Sequence, residues 1–253
     1  MAAAKRPIAA IKQAAPAAKR PSSAAQRPSA QRKQPTQPPK APAQSLEPEQ
    51  APRGHYWWYV AAFVVALTLF AGATVLALSH KATGWEYTWF REVNNQSEGF
   101  YRLMTIITFL GSTWGAAIAV LGAYIARYYR LAWRLAFTII GAYGVTVLAK
   151  HFIERPRPLG LFEDVHARVA ETGMGFPSGH TMAITVITLT LLPYLPWKLR
   201  WIIPILIVAV GISRLYLGVH IPLDLVGGLA LGTAAVAFVR ILPQRLRAWA
   251  HLD

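Results

Sequence analysis

Ser213-Arg214-Leu215-Tyr216-Leu217-Gly218-Val219-His220-Ile221-Pro222-Leu223-Asp224 lies where two long apolar runs meet, Trp201 to Val219 and Leu223 to Val239. Pro222 has no donor N–H and a preset φ, which suits the first turn of a helix, and the run behind it is long and apolar enough to be that helix. The stretch therefore reads as a polar turn between two membrane helices. It places Arg214, His220 and Asp224 within twelve residues of otherwise apolar sequence, where burying a charge is costly without a partner or a task.

A carboxylate in the first helical turn, as at Asp224, is favoured by the helix dipole and can accept a hydrogen bond from one imidazole nitrogen of His220. The other nitrogen is then free to act as nucleophile or base, its tautomer fixed by the acid. Arg214 lies six residues before His220, and its planar fork matches the oxygens of a phosphate. The set reads as a phosphate site. An ordinary polar turn, with Arg214 paired to Asp224 and His220 merely satisfied, fits this stretch alone about as well.

Two further stretches bear on the choice. Phe176-Pro-Ser-Gly-His-Thr181 stands just before another apolar run. A helix starting near Ser178 presents unpaired N–H groups and a positive dipole end to an anion, and Gly179 lets backbone and ligand approach closely. His180 would sit beside that anion, able to protonate a leaving oxygen. By itself the stretch also fits a plain Ser N-cap with a surface histidine. Lys150-His-Phe-Ile-Glu-Arg-Pro-Arg-Pro158 follows a third apolar run and puts Lys150 and Arg157 at the outer end of a helix and in the loop beyond. Interfacial cations that snorkel are the alternative there.

Together the three stretches resemble, in order and in full, the signatures of the type 2 phosphatidic acid phosphatase family. These are Lys-x6-Arg-Pro at 150–158, Pro-Ser-Gly-His at 177–180 and Ser-Arg-x5-His-x3-Asp at 213–224. The resemblance covers roughly Met104 to Val239, and Thr105 to Gly115 is also similar to the membrane-bound bacterial branch. It implies that His220 attacks phosphorus to give a phosphohistidine, with Asp224 orienting it. It further implies that His180 protonates the leaving oxygen and later activates water, while Lys150, Arg157, Ser178, Gly179 and Arg214 bind the phosphoryl oxygens. These roles agree with the physical reading, since charge on the equatorial oxygens has to be stabilised during transfer.

Composition points the same way. The chain has 253 residues, 54% of them hydrophobic, yet a formal charge of +15, a pairing that fits a membrane protein with basic ends. Without cysteine, disulfides and thiolate metal sites are excluded. Apolar runs at Trp57 to Leu78, Leu103 to Ala126, Leu131 to Ala149, Thr181 to Leu195, Trp201 to Val219 and Leu223 to Val239 predict an all-α protein with six transmembrane helices. The fourth run is short unless its helix begins at Ser178. Between the first two, Trp85, Trp89, Phe90 and Val93 recur at helical spacing, which predicts a short amphipathic helix on the membrane surface. Arg127, Arg130, Lys198, Arg200, Arg240, Arg245 and Arg247 collect with the N-terminal cations on one side. That side is expected to be cytoplasmic, with both termini inside and all three motifs at the outer face.

The expected domains are a disordered basic cytoplasmic tail at 1–53, a membrane domain at 54–240 and a C-terminal cytoplasmic tail at 241–253. The first tail holds ten Lys and Arg against two Glu and few large apolar groups, so it cannot bury a core. Anionic lipid is the expected partner for it, in preference to nucleic acid. No metal and no cofactor are expected: Glu154, Glu163, Asp164 and Glu171 lack the clustering that Mg²⁺ favours, and His166 reads as a loop residue.

The predicted activity is hydrolysis of a lipid phosphomonoester or diphosphate in a bacterial cytoplasmic (inner) membrane. Phosphatidic acid, phosphatidylglycerol phosphate and undecaprenyl diphosphate are the candidate substrates. Two alternatives remain at this level: phosphotransfer to another lipid such as lipid A, and non-catalytic transport of a lipid phosphate.

Overall fold

The computed structural model describes residues 56–243 and 246–247. The expected tail at 1–53 and most of that at 241–253 lie outside the described residues. Among the described residues all regular structure is helical, as expected of an all-α chain. The main helices are α1 (Tyr56–Ala77), α2 (Gly84–Asn94), α3 (Tyr101–Phe109), α4 (Thr113–Ile125), α5 (Tyr129–Ile153), α6 (Gly179–Leu191), α7 (Ile202–Tyr216) and α8 (Pro222–Ile241).

The helix α6 lies at the centre, packed against α4, α5, α7 and α8, while α1 lies along α8 and α3 along α7. Its residues Thr181 to Thr188 are all buried, as befits a helix surrounded by protein. Its threonines satisfy their hydroxyls locally: Thr185 and Thr188 donate to Thr181 O and Ile184 O one turn back, each at 2.7 Å. The contact with α8 depends on small residues. A Cβ on Gly228 would come within 2.4 Å of Ser178 O, and one on Gly232 within 2.8 Å of Met182 O. Glycines four apart thus let the two backbones touch, and this contact sets the start of α6 against the start of α8.

Large apolar side chains cover the outside, among them Trp57, Ile106, Ile125, Ile140, Phe152 and Trp201. An apolar exterior of this extent belongs in lipid rather than water. Four segments are long and apolar enough to cross a membrane: Tyr56–Ala77, Tyr129–Gly160, Trp197–Tyr216 and Pro222–Ile241. A fifth crossing results if Glu98–Phe109 and Thr113–Ile125, bent by 48°, count as one.

Two elements differ from the expected six spans. The run at 103–126 is broken: Ser112 caps α4 by accepting from Gly115 N at 3.1 Å, and Gly111 passes so near α6 that a Cβ there would lie 2.6 Å from His180 O. The run at 181–195 forms α6, 13 residues long, followed by a further helical turn at Leu192–Tyr194, and does not reach spanning length by itself.

The predicted amphipathic helix is present as α2, with its faces assigned differently. Trp85 and Trp89 point outward together, whereas Glu86, Phe90 and Asn94, spaced four apart, are fully buried. Phe90 packs on Leu215 and Ile221, which fixes α2 over the junction of α7 and α8.

Candidate active site

The three stretches that carry the motifs converge at one end of the helices. α7 stops where Gly218 adopts a left-handed conformation (φ 76°), with Gly218 N donating to Leu215 O and Val219 N to Arg214 O. This glycine-terminated cap turns the chain sharply, so that His220 follows only four residues after the last helical residue. Ile221 is extended, Pro222 opens α8, and Asp224 folds back so that its Oδ2 accepts from Ile221 N at 3.1 Å. The same oxygen lies 3.2 Å from His220 Nδ1. A carboxylate has only acceptors to offer, so Nδ1 carries the proton and the lone pair is on Nε2. The pairing expected from the sequence is thus formed.

The N-terminus of α6 is tied to the same place. Ser178 N donates to Asp224 O at 2.9 Å, and Ser178 Oγ accepts from Thr181 N and Thr181 Oγ1 at 3.4 and 3.2 Å. Ser178 is wholly buried, with its hydroxyl engaged in capping. Gly179 and His180, one step on, line an open cavity.

That cavity has a volume of about 450 Å³. Its lining includes Lys150, Arg157, Glu171, Gly179, His180 and His220 and, among smaller and apolar residues, Gly111, Ala116, Ile139, Ile140 and Met182. A second, almost wholly apolar groove of about 530 Å³ runs between α4 and α5 and shares Thr113, Ala116, Ile139 and Ile140 with it. Five of the eight predicted site residues, Lys150, Arg157, Gly179, His180 and His220, therefore meet on one cavity wall. Ser178, Arg214 and Asp224 stand behind them.

Two of the cations are held in place by the backbone and the third by side chains. Lys150, in the last turn of α5, donates to Met174 O and, at 3.3 Å, to Gly175 O. Arg157 donates to Gly173 O at 3.1 Å and Val219 O at 2.8 Å. Arg214 donates to Thr108 Oγ1 at 3.0 Å and is paired with Glu171. The α6 N-terminus adds its dipole to these three charges, an arrangement suited to an anion.

Three residues outside the predicted set belong to the site. Glu171 bridges the two guanidiniums, its Oε2 lying 2.8 Å from Arg157 and its Oε1 on Arg214. Burial would raise its pKa, but the charge and hydrogen bond of Arg214, with Arg157 behind, bring it down to about 2. Arg155 and Glu86 form a buried pair behind Asp224, with Arg155 Nη2 2.9 Å from Glu86 Oε2 and Arg155 Nη1 3.2 Å from Asp224 Oδ1. His220 is held well below the usual histidine range, first by burial, then by Arg214, Arg157 and Lys150, against a smaller opposing pull from Glu171. The imidazole is neutral at neutral pH, the form in which its lone pair is nucleophilic.

The PAP2 superfamily model matches residues 131–248, which include all three motifs. Phosphatidylglycerophosphatase B of Bacillus subtilis strain 168 is 34% identical over 160 residues, covering 57% of this chain and 76% of the relative. Undecaprenyl-diphosphatase of Sulfolobus acidocaldarius is 26% identical over 186 residues, covering 72% and 88%. Among solved structures, Aquifex aeolicus LpxE superposes with a TM-score of 0.58 at 25% identity, over 62% of this chain and 96% of that one. With a relative 34% identical and covered over 76% of its length, and with relatives that are phosphatases by name, the chain belongs to the PAP2 superfamily, as one of its membrane lipid phosphatases.

Proposed function

We propose that this protein hydrolyses a lipid phosphate through a phosphohistidine at His220. The phosphoryl group binds among Lys150, Arg157, Arg214 and the α6 N-terminus at Ser178 and Gly179, and the lipid tail follows the apolar residues of the cavity toward the groove between α4 and α5. The Nε2 lone pair forms the N–P bond as the P–O bond to the lipid breaks, and His180 donates its proton to the departing oxygen. His180 then takes a proton from water as the water oxygen attacks phosphorus. The N–P bond breaks and its electron pair returns to Nε2. Asp224 holds the Nδ1 proton throughout and offsets the positive charge on the phosphorylated ring.

The observation that carries this reading is the bond between His220 Nδ1 and Asp224 Oδ2 at 3.2 Å, in a histidine that also lines the cavity. The relatives' names make phosphatidylglycerol phosphate and undecaprenyl diphosphate the first lipids to test, with phosphatidic acid beside them. No metal takes part in this scheme.

For topology, we read α6 as the sixth crossing, shortened because other helices enclose it, and the α3–α4 pair as another, bent beside His180. The basic loops then face the cytoplasm with both termini, and the site faces outward in a bacterial cytoplasmic membrane. The basic segment 1–53 acts as a tail drawn to anionic lipid.

The test is phosphate release in EDTA from phosphatidylglycerol phosphate, undecaprenyl diphosphate and short-chain phosphatidic acid, alongside His220→Ala. Release by the parent and none by the variant is the expected result. Activity that is absent in EDTA and returns only with Mg²⁺ would overturn the metal-independent scheme.

A further inference from the structure

Behind the His220–Asp224 pair lies a run of charges with no access to water. Asp224 Oδ2 is occupied by His220 and Ile221 N, so its other oxygen depends on Arg155 Nη1 at 3.2 Å. Arg155 is fully buried, and its Nη2 donates to both oxygens of Glu86, at 3.0 and 2.9 Å, and to Lys81 O at 3.0 Å. Glu86 is fully buried as well and accepts from Thr83 N and Thr83 Oγ1, at 2.9 and 3.0 Å, and from Leu223 N at 3.4 Å. The contacts thus run from α2 through the loop after α5 to the first turn of α8.

Two buried carboxylates and one guanidinium leave this group with one negative charge while His220 is neutral. A ring bonded to phosphorus through Nε2 and still protonated at Nδ1 carries one positive charge. The group therefore balances the positive charge that develops on the ring as the N–P bond forms, and stabilising charge that appears in the transition state of attack speeds that step. Without the guanidinium, Asp224 would be a fully buried carboxylate with its Oδ1 unpaired, whether or not Glu86 is neutralised, and its protonated form would be favoured. A protonated Asp224 neither fixes the His220 tautomer nor offsets the ring's charge.

We propose that Arg155 and Glu86 are positioning residues that keep Asp224 ionised and aimed at His220 Nδ1, so that they govern turnover without touching the lipid. This rests on the reading of His220 as the nucleophile.

The test compares Arg155→Met, Arg155→Lys and the double variant Arg155→Met with Glu86→Gln, each assayed for kcat, KM and thermal unfolding in detergent. Removing one member of a buried pair destabilises by stranding its partner, and neutralising both relieves that cost. The double variant is therefore expected to unfold near the parent's temperature, yet to show kcat lowered about a hundredfold with KM nearly unchanged. Arg155→Lys, which retains the charge, is expected to recover part of the lost kcat. Parental kcat in the folded double variant would overturn the proposal and leave the pair a purely structural one, as would a loss carried by KM alone. His220→Ala in the same series separates the two readings: if it retains activity, the nucleophile is misassigned whatever Arg155 does.

Discussion

Two carboxylate-guanidinium clusters flank His220, and they differ in exposure. Glu86, Arg155 and Asp224 are all 0% exposed, and their polar atoms meet mainly one another and the backbone. Arg157, Glu171 and Arg214 form the other cluster, in which the Glu171 side chain remains 29% exposed and faces the cavity. In the first, breaking one contact leaves a charge stranded away from water, so its arrangement is fixed. In the second, the bridging carboxylate is an anion on the two arginines that we propose bind phosphate, and on that proposal an incoming phosphoryl group would compete for the same donors. A closed cluster suits the orientation of a nucleophile, and an open one suits a ligand that comes and goes.

The comparison breaks most severely if the proposed nucleophile is removed. His220→Ala is expected to lower phosphate release by about four orders of magnitude, with the cavity otherwise intact. Asp224→Asn keeps the shape of the closed cluster but removes its negative charge, and is expected to lower kcat about a thousandfold with little effect on KM. A loss expressed mainly in KM would move Asp224 into the binding group.

A milder change acts on the open side. Glu171→Gln removes the internal competitor, so inorganic phosphate and vanadate are expected to inhibit roughly five- to tenfold more tightly, because a larger share of molecules presents free guanidiniums. Weaker inhibition would mean that Glu171 instead positions the arginines for phosphate. Since Glu171 is held near a pKa of about 2, this difference is expected to persist from pH 8 down to pH 5.

The smallest expected effect concerns pH. The depressed pKa of His220 places any acid limb it causes in kcat/KM below 6.5. Stability carries the matching sign: the unfolded chain takes up a proton near pH 6.5 that folded His220 does not. Its contribution is complete above that pH and declines as pH falls below it. A thermal scan from pH 7.5 to pH 5 that shows no decline in unfolding temperature would place His220 in a wetter setting.

The contrast also accounts for what could be read from sequence. Members of the cavity wall lie at helix ends within short motifs, and Lys150, Arg157, Gly179, His180 and His220 are found where their spacing implies. The long-range partners carry no such local sign. Arg155 occupies one of the open positions of Lys-x6-Arg-Pro, and its acids lie 69 residues away on either side. Glu86 falls within what reads as an amphipathic helix on the membrane surface. A buried arginine does require a partner, but neither its burial nor its partner is marked in the sequence. The break at 110–112 accompanies a backbone approach at Gly111 that only packing reveals, whereas the end of α6, where the chain passes into a turn containing Pro193, is marked in the sequence.

The most direct measurement is to trap the enzyme during turnover of a lipid labelled with ³²P in its phosphate and to examine the chemistry of any protein-bound label. The mechanism predicts label on the parent chain that is stable to base and lost in acid, as a phosphoramidate at His220 requires, and none on His220→Ala. Label that resists acid, or that persists on His220→Ala, would contradict it.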